Sequence, residues 1–345
     1  MDSFYLPDND GIIRFPENSI VELACPGNSL LLNKTRSPQS VISVKCSNDA
    51  FTVNRSIYPF SAFKCTKSAE GTIRFTGNYC GSGRREIEIG YQLPNRFIRH
   101  ILICFDDVLK TTFYTVHKLS KRINASQKNV SRVHWMKGEG FDDLNIIELY
   151  KSATTQSVLN SLVGLSKSSE KYISRAHQKY LAKGHLAPKA DFIYGAQQTL
   201  TFYYANAVPQ WQVFNNGNWL AIERSVRDYA SSKQFDLEVY TGTYQVQSLP
   251  HEFTHERIYL YLSNGKVPVP RLLWKVLYNR ANQTGIALIG GNDPYFAETT
   301  TICRDISHQC TWVTWNRCNV SSGCGYCCEV NDFRKTVRSL PKFKV

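Results

Sequence analysis

Eleven cysteines divide this 345-residue chain unevenly. Cys25, Cys46, Cys65, Cys80 and Cys104 form one group, and Cys303, Cys310, Cys318, Cys324, Cys327 and Cys328 form another. The long stretch between them has none. Clustering of this kind suits a disulfide framework at each end of the chain, and such frameworks persist in oxidising surroundings. Asn-x-Ser/Thr triplets at Asn33, Asn54, Asn124, Asn129, Asn282 and Asn319 point the same way, to a secreted, glycosylated protein. The competing use of cysteine is zinc. "CGYCC" holds a Cys-x-x-Cys and His308 is near it, but the two spaced pairs of a structural zinc site are missing. An odd count leaves a thiol free or paired between chains.

The length allows roughly two domains. No run of about 18 apolar residues exists, so no membrane helix and no membrane partner are expected. The opening "MDSFYLPDND" is acidic and polar, unlike a signal peptide. The net charge is +13, most of it carried after residue 120. A basic surface concentrated in one part of a chain suits a polyanion.

Residues 1–120 read as short strands: "SVISVKC", "FTVNRSIY", "GTIRF", "REIEIGYQL", "RHILICFDD" and "KTTFYTVHKL" are β-branched or alternating, broken by Pro, Gly and Asn. We expect a β-rich, cysteine-bearing module there, a surface linker over 121–134, and an α+β domain over 135–345. In that domain "TQSVLNSLVGL" reads as a helix. "NWLAIERSVRDYASSKQ" reads as an amphipathic one, with Trp219, Ile222, Val226 and Tyr229 on one face. "DLEVYTGTYQV", "RIYLYLS", "RLLWKVLYNR" and "GIALIGG" read as strands, with a helix as the alternative for "RLLWKVLYNR", and Trp211 and Trp219 read as core.

Two stretches compete to carry chemistry. "PHEFTH", Pro250 to His255, holds His-Glu-x-x-His, which on a helix binds zinc in metalloproteases. Here a strand-like run follows at once. The longer zinc motif would continue with Gly and His, but Ile258 and Tyr261 stand there. A zinc metalloprotease is therefore the minor reading, and the stretch is expected on a strand-connecting loop.

The rival is "LAKGHLAPKADF", Leu181 to Phe192, followed by "YYANAVPQWQVFNNGNWLAIERSVR". From His185 the spacing is 21 residues to Asn206, nine more to Asn215, eight to Glu223 and four to Arg227. Together with "VYTG" and "VPVPRLLWKV" downstream, this resembles the DNA/RNA non-specific endonucleases, the ββα-metal or His-Me finger nucleases, over roughly residues 135–335. The tail, with its "YCC" and "DFR", resembles secreted arthropod members, the double-stranded ribonucleases and alkaline nucleases.

The resemblance implies a ββα-metal domain with a mixed or antiparallel sheet and flanking helices. It implies hydrolysis of RNA, including double-stranded RNA, and of DNA and single-stranded nucleic acid, leaving 5′-phosphates, outside the cell or in a gut lumen. A neutral imidazole can take a proton from water near neutral pH; the resemblance gives that role to His185. It gives a single Mg²⁺, with Mn²⁺ as substitute, to Asn215. Asn206 would brace the hairpin and the metal site, Glu223 would hold water at the metal, and Arg227 would contact phosphate. Glu223 and Arg227 are four apart and so share a helix face. Lys183 stands where the family has arginine, keeping the charge and losing the bidentate fork. The alternative is an inactive nucleic-acid-binding or scavenging protein. Oligomeric state stays open.

Overall fold

The structure is a computed structural model describing residues 4–345, apart from Asn9, Ser82, residues 296–300 and Cys318. Its first strands, β1 (Ile20–Ala24), β2 (Val41–Ser47), β3 (Ala50–Val53) and β4 (Ser56–Tyr58), make a four-stranded sheet in that order. Alternation along β2 turns Val44 and Cys46 inward onto Val21 and Phe51, a small core of their own. Cys46 is buried there as a free thiol. Asn54 and Arg55, joining β3 to β4, both take positive φ. That is the two-residue turn whose twist matches antiparallel strands, with Asn at the position that tolerates it. The Cys25–Cys65 disulfide fastens this unit.

The chain then builds β5 (Thr72–Tyr79), β6 (Arg85–Gln92), β7 (Phe97–Asp106) and β8 (Thr111–Leu119). A separate hairpin follows, β9 (Leu181–His185) with β10 (Ala207–Trp211). The last long strands are β11 (Leu237–Val246), β12 (Pro270–Asn279), β13 (Thr284–Gly291) and β14 (Gly325–Cys328). Eight of them form one antiparallel sheet, ordered β14-β13-β12-β11-β8-β7-β6-β5. Helix α1 (Ser152–Leu162), the one-turn α2 (Gln212–Asn215) and α3 (Asn218–Ser232) lie on one side; α4 (Val330–Thr336) caps the other.

The central strands of the sheet are covered on both faces, and β12 is accordingly a near-continuous apolar run. On one face α3 lays Trp219, Ile222 and Val226, all fully buried, against the core that includes Ile87, Ile101 and Leu288. Each such side chain contributes about 1.5–3 kcal/mol. On the other, Phe333 and Leu340 cover Trp274 and Val276. Neighbouring residues of a strand face opposite ways. Cys327 therefore joins Cys310 in the first core, and Cys328 joins Cys303 in the second. With Cys80–Cys104, four disulfides are present among the described residues; Cys318 lies outside them.

The expected division at residue 120 does not follow the sheet. β8, ending at Leu119, pairs with β11 from Tyr114↔Gly242 to Leu119↔Leu237. The strands of residues 72–119 and those beyond 237 thus share one hydrogen-bonded layer. Periodicity reports that a segment is a strand, not which strand it pairs with. Nor are residues 121–134 a free linker. Ile123 is buried, and Gln127 is bonded to Ile193, Gly195 and Gln198.

"PHEFTH" caps a small hairpin between Ser248–Pro250 and Arg257–Tyr259, whose ends pair Pro250↔Arg257. His251 Nδ1 accepts from the backbone of Phe253 and Thr254, and His255 has a φ of 61°. The two imidazoles are not on a helix face, so the zinc reading fails on geometry.

Candidate active site

The hairpin fixes the first group. β9 pairs with β10 in the register Leu181↔Trp211 to His185↔Ala207, and every residue of β10 is buried. Past His185 the chain is held by Asn206. Its Oδ1 accepts from the Ala187 amide at 2.9 Å, and its Nδ2 donates to the Ala187 and Thr201 carbonyls at 2.9 Å each. Asn206 is fully buried and its amide is spent on backbone. Through these bonds it braces the loop after His185.

The His185 ring packs tilted against Trp135, centroids 4.6 Å apart, and meets Phe202 edge-on at 4.9 Å. Its Nε2 is buried without a partner; Nδ1 is neither enclosed nor bonded. Burial, then the charges of Arg132 and Lys189, hold the imidazole down to about 3. It is therefore neutral, with a lone pair to offer. Gly184 makes the close strand approach possible, since a Cβ there would meet Gln210 Oε1 at 2.0 Å and Gln210 Cβ at 2.6 Å. We expect Gly184→Ala to cost about 1–3 kcal/mol by overpacking and to displace His185. Urea melts and rates read together check this; a variant with unchanged stability and rate would contradict it.

His185 opens onto a cleft of about 590 Å³ that also holds Lys183, Asn215, Glu223 and Arg227. The structure thus brings five of the six sequence candidates together and leaves out Asn206. Asn215 is the last residue of α2, one turn ahead of the long helix α3, and not on α3 itself. Its Nδ2 donates to Gln212 Oε1 at 3.4 Å, and its Oδ1 has no protein partner among the described residues.

Glu223 and Arg227 do share one face of α3. Beneath them lies a buried charge ladder that the sequence did not reveal. Asp191, buried six residues after His185, accepts from Arg227 Nη1 and from His117 Nε2, each at 2.9 Å. Burial would raise the Asp191 carboxyl, but these partners and Lys275 bring it down to about 2. Burial keeps His117 below its ordinary value and hence neutral, so the charges opposing Asp191 are those of Arg227 and Lys275. Lys275, fully buried on β12, donates to Thr241 Oγ1 at 2.6 Å. Burial pushes Glu223 up to about 7, with Lys275 opposing and Asp191 adding to the shift. Arg227 is thereby aimed by Asp191, and Glu223 is held near two cations.

Residues 86–333 match the family model described as DNA/RNA non-specific endonuclease. The chain belongs to that family. It is an endonuclease, and its similarity to curated relatives runs through the N-terminal residues as well. A salivary endonuclease of Lutzomyia longipalpis is 27% identical over 344 residues, covering 97% of this chain and 80% of that protein. A salivary endonuclease of Culex quinquefasciatus is 24% identical, covering 84% and 76%. Salivary protein Tsal1 of Glossina morsitans morsitans is 24% identical, covering 96% and 82%. The family match starts inside β6, well before the expected edge at residue 135, in keeping with the shared sheet.

Trp135, Arg132 and Asp191 were missed as parts of this endonuclease's site. Asp191 stood inside the quoted "LAKGHLAPKADF", but nothing in its spacing marks a carboxylate as the anchor of Arg227. Lys275, a charge flanked by apolar residues in "LLWKVL", was the one detectable signal.

Proposed function

We propose that the chain is a secreted, Mg²⁺-dependent endonuclease that hydrolyses RNA, double-stranded RNA included, and DNA, leaving 5′-phosphates. The observation that carries this is the neutral His185, with a free ring nitrogen, on one cleft with Asn215, Lys183 and Arg227. The antiparallel β9–β10 hairpin running through α2 into α3 supports reading it as a ββα-metal site.

The donor set fits Mg²⁺, which keeps most of its waters and takes few oxygens from protein. Asn215 Oδ1 would hold it, with Glu223 beside it. Such an ion supplies positive charge to the phosphate and to the leaving 3′ oxygen. His185 takes a proton from the attacking water. Arg227, steadied by Asp191, and Lys183 offset the phosphate charge. Trp135 and Phe202 fix the imidazole plane. Nothing in this scheme uses a ribose 2′-OH, so both sugars are substrates and discrimination falls to groove shape. Four disulfides and relatives named salivary support export from the cell.

Supercoiled plasmid and long double-stranded RNA, each with Mg²⁺ and with EDTA, provide the test. Both should be digested with the metal and spared by the chelator. Metal-independent binding without digestion would favour the inactive binder.

A further inference from the structure

Beyond Lys183 the cleft runs on into a second groove that none of the roles assigned above accounts for. Tyr150, Ser152, Arg175 and Lys183 line both, and Lys151 and Tyr204 line the second alone. Its floor is two phenols. Tyr150 is 6% exposed and Tyr204 3%, and their rings lie 5.5 Å apart. Both residues line the groove, and neither hydroxyl has a hydrogen-bond partner among the described residues. Its wall is the N-terminus of the 11-residue helix α1, which has no side-chain cap. Uncapped first-turn amides favour an anion. Arg175 reaches the same point, its Nε donating to Ser152 Oγ at 2.9 Å, and Lys183 Nζ sits 5.9 Å from the Tyr150 ring centroid. The neighbouring carboxylate, Glu148, is turned to Lys151 at 2.7 Å and Thr154 at 2.8 Å and does not line the groove.

We propose that this groove binds a second phosphate of the nucleic-acid backbone, one that flanks the scissile phosphodiester. The inference rests on the proposed nuclease reading and extends it. Phenol hydroxyls, an Arg fork, a Lys and helix amides are all donors, the complement of a phosphodiester. Lys183 lies on the boundary between the two grooves and spans both phosphates. A chain threaded this way is gripped on one side of the cut, which favours polymers over small diesters without reading bases.

The test uses Arg175→Gln and, to remove only the hydroxyls, the double variant Tyr150→Phe/Tyr204→Phe. Lys45→Gln, on the remote N-terminal sheet, controls for loss of a charge. KM for a short duplex should rise about tenfold, the scale of a lost charge-assisted bond, with kcat held within about twofold. In a His185→Ala background, where binding is read without cleavage, Arg175→Gln should lower the slope of log affinity against log salt by about one. That binding arm stands even if no digestion occurs, so failure of the nuclease reading and failure of the groove are distinguishable. Unchanged KM and slope in folded variants overturn the proposal. So does competition by inorganic phosphate that depends on Arg175 while duplex binding does not, which would mark a site for free anions.

Discussion

Replacing His185 with alanine is expected to slow digestion by about 10²–10⁴-fold, the usual worth of a positioned general base, and to leave the fold intact. The ring is packed but not bonded: Trp135 and Phe202 touch it, yet neither nitrogen has a protein partner. Removing it therefore strands no hydrogen-bond partner, and the brace that shapes the loop belongs to Asn206. The pH profile carries a second check. With its pKa held near 3, His185 keeps its lone pair unprotonated across the neutral range and sets no acidic limb there. Burial pushes the Glu223 carboxyl up to about 7 in the metal-free chain and a bound Mg²⁺ would lower it, so activity should fall as Glu223 takes up a proton at a pH below that value. Near-normal rate in His185→Ala would sink the mechanism.

Asp191→Ala should be the most damaging change to stability, at about 3–5 kcal/mol. It strips the counter-charge from Arg227 and Lys275 and leaves His117 Nε2–H without an acceptor, all in the interior. Native Asp191 also ties stability to pH. Its folded pKa lies below the usual carboxylate value, so its stabilisation is full above about pH 4. It is lost as pH falls through 3.8 toward 2, where the native state no longer holds the proton off. The three histidines depressed by burial, His100, His117 and His185, work in the same direction. The unfolded chain binds protons from about pH 6.5 downward while these rings resist. Urea titrations at neutral and acidic pH measure both effects. A loss under about 1 kcal/mol in Asp191→Ala would mean that the ladder relaxes around the gap. Asp191→Asn, which keeps the shape and drops the charge, separates packing from electrostatics.

Local pattern was readable here, and long-range partnership was not. The apolar run of "RLLWKVLYNR" matches β12, which is covered on both faces, and the three-and-four spacing of Trp219, Ile222 and Val226 foretold α3, whose core contact is one-sided. "RHILICFDD" and "KTTFYTVHKL" foretold β7 and β8, but nothing in them says that β8 lies beside β11, more than a hundred residues on. The assumed module edge at residue 120 failed for that reason. At the site, the spacing from His185 to Arg227 singled out side chains that do share one cleft. Asp191, His117 and Lys275 stayed hidden because they come from three distant elements that meet only under α3. Asn206 does not line that cleft; it holds the loop after His185 from behind.

The shared sheet also sets where this endonuclease can be shortened. A chain begun at residue 121 would expose the β11 edge and remove His117 from behind Asp191. It would hand any neighbouring molecule an unpaired apolar strand to zip onto. The smallest self-sufficient enzyme begins no later than β5, near residue 72. The four-stranded unit ahead of it has a core and a disulfide of its own and meets the large sheet through the Glu22–Arg96 pair, so an exchange of that unit would have to keep this ionic seam.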